Sequence, residues 1–163
     1  MQKKLPSILL SGAVVAVANT LLGMLVMHFI LQRSFMAVLI SYTGCLVSIG
    51  AGLLAVWHYT TTYQETVPGR QGATLGFWAG ASATLIGSGL SSLLEWMGLI
   101  PDISSQISHN VPSFAMHWSF QVLVFLSTVV VYALLGLIGG VIGAALFKRK
   151  SATQHTSTES DFI

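Results

Sequence analysis

Residues 118–150 read WSFQVLVFLSTVVVYALLGLIGGVIGAALFKRK: thirty positions without a formal charge, closed by Lys148-Arg149-Lys150. A helix needs about 20 mostly apolar residues to cross a bilayer, so this stretch has the length of a membrane span with a basic anchor. At about 1.5 Å per residue the run measures roughly 45 Å against a hydrocarbon core of about 30 Å. It therefore has to tilt or reach into the headgroups. Working outward, three more charge-free stretches occupy positions 5–32, 34–64 and 71–94, with His taken as neutral. Four crossings follow, with helices expected over about 5–31, 35–58, 73–98 and 118–147.

The charges between those helices set an orientation. With four crossings, Lys3, Lys4, Arg70, Lys148, Arg149 and Lys150 share one face and Arg33 stands alone on the other. Basic flanks stay on the cytoplasmic side, so both termini are expected inside. The reading is an all-α integral membrane protein, a four-transmembrane-helix bundle over residues 1–150, with a disordered cytoplasmic tail over 151–163. Its expected place is a bacterial cytoplasmic membrane. The tryptophans agree independently: Trp57 and Trp78 fall near the inner boundary and Trp96 and Trp118 near the outer one, where an indole keeps its ring in apolar surroundings and its N–H near water.

Composition excludes much else. Of 163 residues only 7% are charged and the mean hydropathy is +0.77, whereas a soluble domain carries about 25% charge. The segments outside the spans are too short to bury a core, which excludes a soluble catalytic or nucleotide-binding domain. No basic patch interleaved with aromatics points to nucleic acid. The lone Cys45 makes no intrachain disulfide and no metal cluster, and is expected as a small buried packing residue. Lys3-Lys4 ahead of an apolar run resembles a signal peptide, but the run is about twice the 7–15 residues of such a segment, so an uncleaved first helix is expected. Between helices three and four, Ile103 and Ile107 are one turn apart, as in a short helix lying on the membrane surface.

Lipid tails are as apolar as leucine, so close packing rather than burial must hold such helices together. Small residues recur at four-residue spacing: Gly12, Ala16 and Thr20 in helix one; Gly44, Ser48 and Gly52 in helix two; Gly72, Gly76 and Gly80, continuing to Thr84 and Ser88, in helix three; Gly136, Gly140 and Ala144 in helix four, with Gly139 and Gly143 beside them. Two uses are open for these ridges. They can be consumed inside the bundle, or one can be left for a second copy or another membrane protein, helix four having the widest small-residue face.

Polar groups at membrane depth are the default functional candidates, here Asn19 and Tyr132 near the middles of helices one and four. No Asp, Glu, Lys or Arg sits at a midplane, which argues against a proton-coupled or voltage-driven transporter. Arg33 and Glu95 fall at similar depth near the outer boundary and suit an ion pair. A sharper alternative gathers His28, Glu95, His109 and His117 into an outward metal or proton-handling site, although no ligand signature is present. No metal and no cofactor is expected.

At the junction of helices two and three, residues 63–80 read YQETVPGRQGATLGFWAG. This run resembles the small bacterial four-span membrane proteins known as domain of unknown function 4199, which similarly join a helical hairpin through a polar inner loop to a glycine-rich third helix. The resemblance implies a four-span fold and carries no catalytic or binding residue. Expected function follows: a non-enzymatic accessory or scaffold protein working through helix–helix contacts in the lipid bilayer, with a second copy or another membrane protein as partner, or else a small oligomeric channel or transporter for a small solute. A membrane enzyme using Glu95 is the least favoured.

Overall fold

The structure is a computed structural model that describes residues 4–31, 36–99 and 118–147. Those residues form helices α1 (Leu5–Leu31), α2 (Met36–Tyr63), α3 (Gly69–Trp96) and α4 (Trp118–Leu146). Each is long and apolar enough to cross a membrane. The expected surface helix near Ile103, and the tail over 151–163, lie outside the described residues.

Two helix ends differ from expectation around the α2–α3 junction. Helix α2 continues past His58 to Tyr63, because Thr60 and Thr61 donate their hydroxyls back to the Trp57 carbonyl at 3.0 and 2.8 Å. Those polar residues hydrate a helix end instead of breaking it. Gln64 then takes φ of 53°, a left-handed stop. The Pro68-Gly69 pair starts a helix: the Pro68 carbonyl accepts from the Gln71 and Gly72 amides at 2.9 Å each. Proline suits a helix entrance because its fixed φ needs no donor there. Helix α3 accordingly begins at Gly69, ahead of position 73, and ends at Trp96.

Residue pairs across the seams give the topology. Ser7 meets His58 and Asn19 meets Ser48, so α1 and α2 are antiparallel. Gly12 lies against Ser82 and Ala16 near Gly87, so α1 and α3 run parallel. Gly72 and Gly76 face Gly140 and Gly136, making α3 and α4 antiparallel, while Gly139 and Gly143 face Ile49 and Val56, making α2 and α4 parallel. The helices thus stand around a ring in the order α1, α2, α4, α3. Helices α2 and α3 also touch across it, whereas among the described residues α1 and α4 do not.

The core fills only one half of this ring. We call proximal the half made of the first parts of α1 and α3 and the last parts of α2 and α4, and distal the other. The buried side chains, among them Val15, Ala51, Ala55, Val56, Tyr59, Leu75, Ala79, Ala83 and Ala144, are all proximal. Val67, in the α2–α3 loop, closes the cluster from below at 4% exposure. Among the described residues no side chain of the distal half is buried. Trp57, Trp78, Trp96 and Trp118 all face away from the bundle.

Candidate functional site

The proximal half is joined backbone to backbone. A methyl group on Gly76 would strike the Gly136 carbonyl, and one on Gly80 the Tyr132 carbonyl. On Gly72 it would fall 2.5 Å from the Gly140 oxygen and 2.7 Å from the Ala144 methyl. From the other side, Gly136 meets the Gly76 carbonyl and Gly140 the Gly72 carbonyl. Only a hydrogen atom fits at these positions, and helices this close bring Cα–H groups onto opposing carbonyls.

The second stripe of α4 is used by a different neighbour. A methyl group on Gly139 would strike the Ile49 carbonyl, and one on Gly143 would fall 3.1 Å from Val56 Cβ and 3.4 Å from Leu53 Cα. Gly52 of α2 answers by resting on the backbone of Gly136, Gly139 and Gly140. The width of the small-residue face on α4 therefore reflects two partners inside the chain, and neither stripe is left over for a second copy. The two stripes are visible in the sequence as adjacent four-residue spacings, but which neighbour each one meets is not.

Polar side chains stitch the seams of α1. Ser7 is fully buried, with its Oγ 2.9 Å from His58 Nδ1, the imidazole tautomer deciding which of the two donates. A hydroxyl bonded to an imidazole is the arrangement that activates a nucleophile. Here Ser7 has 0% exposure, so no substrate reaches the oxygen and the pair acts as a clasp between α1 and α2. Ser82 of α3 donates to the Ala79 carbonyl at 3.0 Å and lies 3.4 Å from the Ile8 carbonyl of α1. At the loop, the Tyr59 hydroxyl donates to Glu65 Oε2 at 2.8 Å and holds the α2–α3 connection against the bundle. The sequence offered no signal for Ser7 with His58, which are 51 positions apart.

Asn19 sits at the upper edge of the packed region. Its Nδ2 donates to Ser48 Oγ at 3.4 Å, and Ser48 in turn donates to the Gly44 carbonyl at 2.8 Å. The Asn19 Oδ1 atom is buried and has no hydrogen-bond partner. Tyr132 is half-buried; its carbonyl abuts Gly80, and it lines an open groove on α4 with Val124, Thr128 and Val131. Asn19 and Tyr132 are thus on α1 and α4, two helices with no contact among the described residues.

Cys45 is exposed, not a buried packing residue. It lies seven residues, two helical turns, from Gly52 and hence on the same stripe of α2. That stripe touches α4 at Gly52 and has come away from it at Cys45. Glu95 is exposed on the last turn of α3, and its expected partner Arg33 lies outside the described residues. So do His109 and His117 of the alternative metal site, and among the described residues no cluster of metal-ligating side chains occurs. No protein family, curated protein or solved structure matches the chain.

Proposed function

We propose that this chain is a four-span protein of a bacterial cytoplasmic membrane, with its proximal half and both termini on the cytoplasmic side, that serves as a non-enzymatic accessory or scaffold protein. The orientation rests on six of seven Lys and Arg residues gathering on one face. The family likeness of the α2–α3 junction to domain of unknown function 4199 is part of the same proposal.

The observation that carries the role is the division of labour among surfaces. Every glycine stripe of α4 is spent on fixing the fold, while α1 and α4 present outward flanks of branched apolar side chains. On α1 these are Leu10, Val14, Val17 and Leu21, and on α4 Val130, Leu134, Ile138 and Val141. A rigid proximal core with two apolar flanks suits lateral contact with a second copy or another membrane protein. The unmatched amide of Asn19 favours a second reading, a conduit for a small solute. The backbone contacts between Gly76 and Gly136 close the proximal half in the conformation described.

Native mass spectrometry from mild detergent tests the role. A complex of fixed stoichiometry is expected, weakened by Val17→Trp or Val130→Trp on the flanks; a chain that emerges alone contradicts it. Orientation is tested in intact cells with Cys45→Ala as background and an impermeant thiol reagent. A cysteine replacing Arg33 should be labelled and one replacing Arg70 spared, and the opposite pattern overturns the assignment.

A further inference from the structure

We infer that the proximal end of α3 binds an anionic phospholipid, with its phosphodiester against Arg70 and the start of an acyl chain against Trp78. This rests on the reading of the chain as membrane-spanning and adds a ligand to it.

Arg70, Thr74 and Trp78 follow one another at four-residue spacing and so form one ridge of α3. All three are exposed, Trp78 by 56%. This ridge is separate from the one that meets α4, which consists of Gly72, Gly76 and Gly80. From Arg70 to Trp78 the helix rises about 12 Å, at about 1.5 Å per residue. Thr74 between them is short, and its hydroxyl donates back to the Arg70 carbonyl at 3.0 Å. It therefore leaves room between cation and ring without a polar demand of its own. The Phe77 ring meets the Trp78 indole edge-on, with centroids 5.7 Å apart at 90°, and supports one side of it. Leu85, seven residues beyond Trp78 and on the same face, is 54% exposed. Read from the proximal end, this face offers a cation, a gap, an indole and then an aliphatic side chain.

Charge names the occupant. Among the described residues neither Arg70 nor Lys4 takes part in an ion pair, and Glu65, the acid described at this end, accepts the Tyr59 hydroxyl. Helices α1 and α3 run parallel with Gly12 against Ser82, so eight residues earlier on each, Lys4 stands at the height of Thr74. Two cations on adjacent helices thus stand at headgroup height with no carboxylate to neutralise them. A guanidinium takes a phosphodiester through two parallel hydrogen bonds. An anionic headgroup delivers that charge alone, whereas a zwitterionic one brings a cation that Arg70 and Lys4 repel. The indole keeps its ring among acyl chains and its N–H toward the ester layer, and Leu85 continues the chain contact. Free phosphate would leave both of those without a role.

Quenching by brominated lipid reads this directly. With the other indoles removed (Trp57→Phe, Trp96→Phe, Trp118→Phe), Trp78 fluorescence is followed in proteoliposomes of phosphatidylcholine and phosphatidylglycerol. Bromine is carried on the chains of one lipid or the other, at equal mole fraction. Brominated phosphatidylglycerol is expected to quench with about fivefold higher apparent affinity. Arg70→Gln should bring the two lipids to parity, while Lys150→Gln, which removes the same charge beyond the end of α4, should leave most of the preference. If the triple variant fails to fold, the unaltered chain serves: it should retain phosphatidylglycerol over phosphatidylcholine in native mass spectrometry and lose it with Arg70→Gln. Parity in the parent chain, a preference that survives Arg70→Gln, or an equal loss from Lys150→Gln overturns the site. Quenching by neither lipid puts Trp78 outside the bilayer and overturns the membrane-spanning reading with it.

Discussion

Gly80 and Gly87 stand two turns apart on one stripe of α3, and a methyl group would have opposite consequences at each. At Gly80 it would collide with the Tyr132 carbonyl of α4; at Gly87 it would make one ordinary contact, 3.8 Å from Ala16. The helix is the same, the residue type is the same, and only the separation of the neighbours differs. In a bilayer apolar side chains gain nothing by meeting each other instead of lipid, so helices stay together only where their shapes allow backbone approach. The proximal half of this bundle has that shape, and among the described residues the distal half does not.

The largest effect expected is from filling the contact outright. Gly136→Leu or Gly140→Leu forces α3 and α4 apart by a whole side chain. Neither variant should give a monodisperse folded species in detergent, whereas Gly23→Leu, with nothing within 4 Å of its Cβ, should purify like the parent chain. Equal behaviour of the two would dissolve the distinction between the halves.

Next comes the polar seam at the boundary. Ser48→Ala removes the one partner of Asn19 and leaves both ends of the amide unmatched. A loss of about 1 kcal/mol in unfolding free energy is expected, and an unchanged stability would mean that the Asn19–Ser48 bond contributes nothing. Replacing both, Asn19→Leu with Ser48→Ala, should recover part of that loss.

How much of this was legible beforehand follows the same divide. Charge-free runs located the four helices, and four-residue spacing located Gly72, Gly76, Gly80, Gly136, Gly139, Gly140 and Gly143 as small-residue stripes. Spacing reveals a face but not what the face meets, so the division of α4 between α3 and α2 had to come from the structure. Tyr59 to Tyr63 looked like loop because hydropathy falls there, yet hydroxyls that bond back to Trp57 sustain the helix. Nothing in the composition of positions 17–31 or 118–132 marks them as loosely packed, since lipid-facing and buried apolar residues look alike in a membrane chain. The same indifference misplaced Cys45, which its apolar setting suggested was buried.

The smallest expected effect belongs to the clasp at the proximal end. Ser7→Ala and His58→Ala, with the double variant to complete the cycle, should give a coupling energy of about 0.6 kcal/mol, typical of hydrogen bonds between membrane helices. A coupling near zero would mean that the proximal half is held by its glycines alone.

The central claim is that, among the described residues, close backbone contact is confined to the proximal half, and paired glycine-to-alanine substitutions test it most directly. Unfolding midpoints would be compared for Gly76→Ala, Gly80→Ala, Gly136→Ala and Gly140→Ala against Gly23→Ala, Gly87→Ala and Gly89→Ala. The first group should lose about 1–3 kcal/mol through overpacking. The second should be unchanged or gain up to about 1 kcal/mol, because alanine restricts the unfolded chain and favours the helix. A uniform response across both groups, or losses at Gly87 and Gly89 as large as at Gly76 and Gly136, would contradict it.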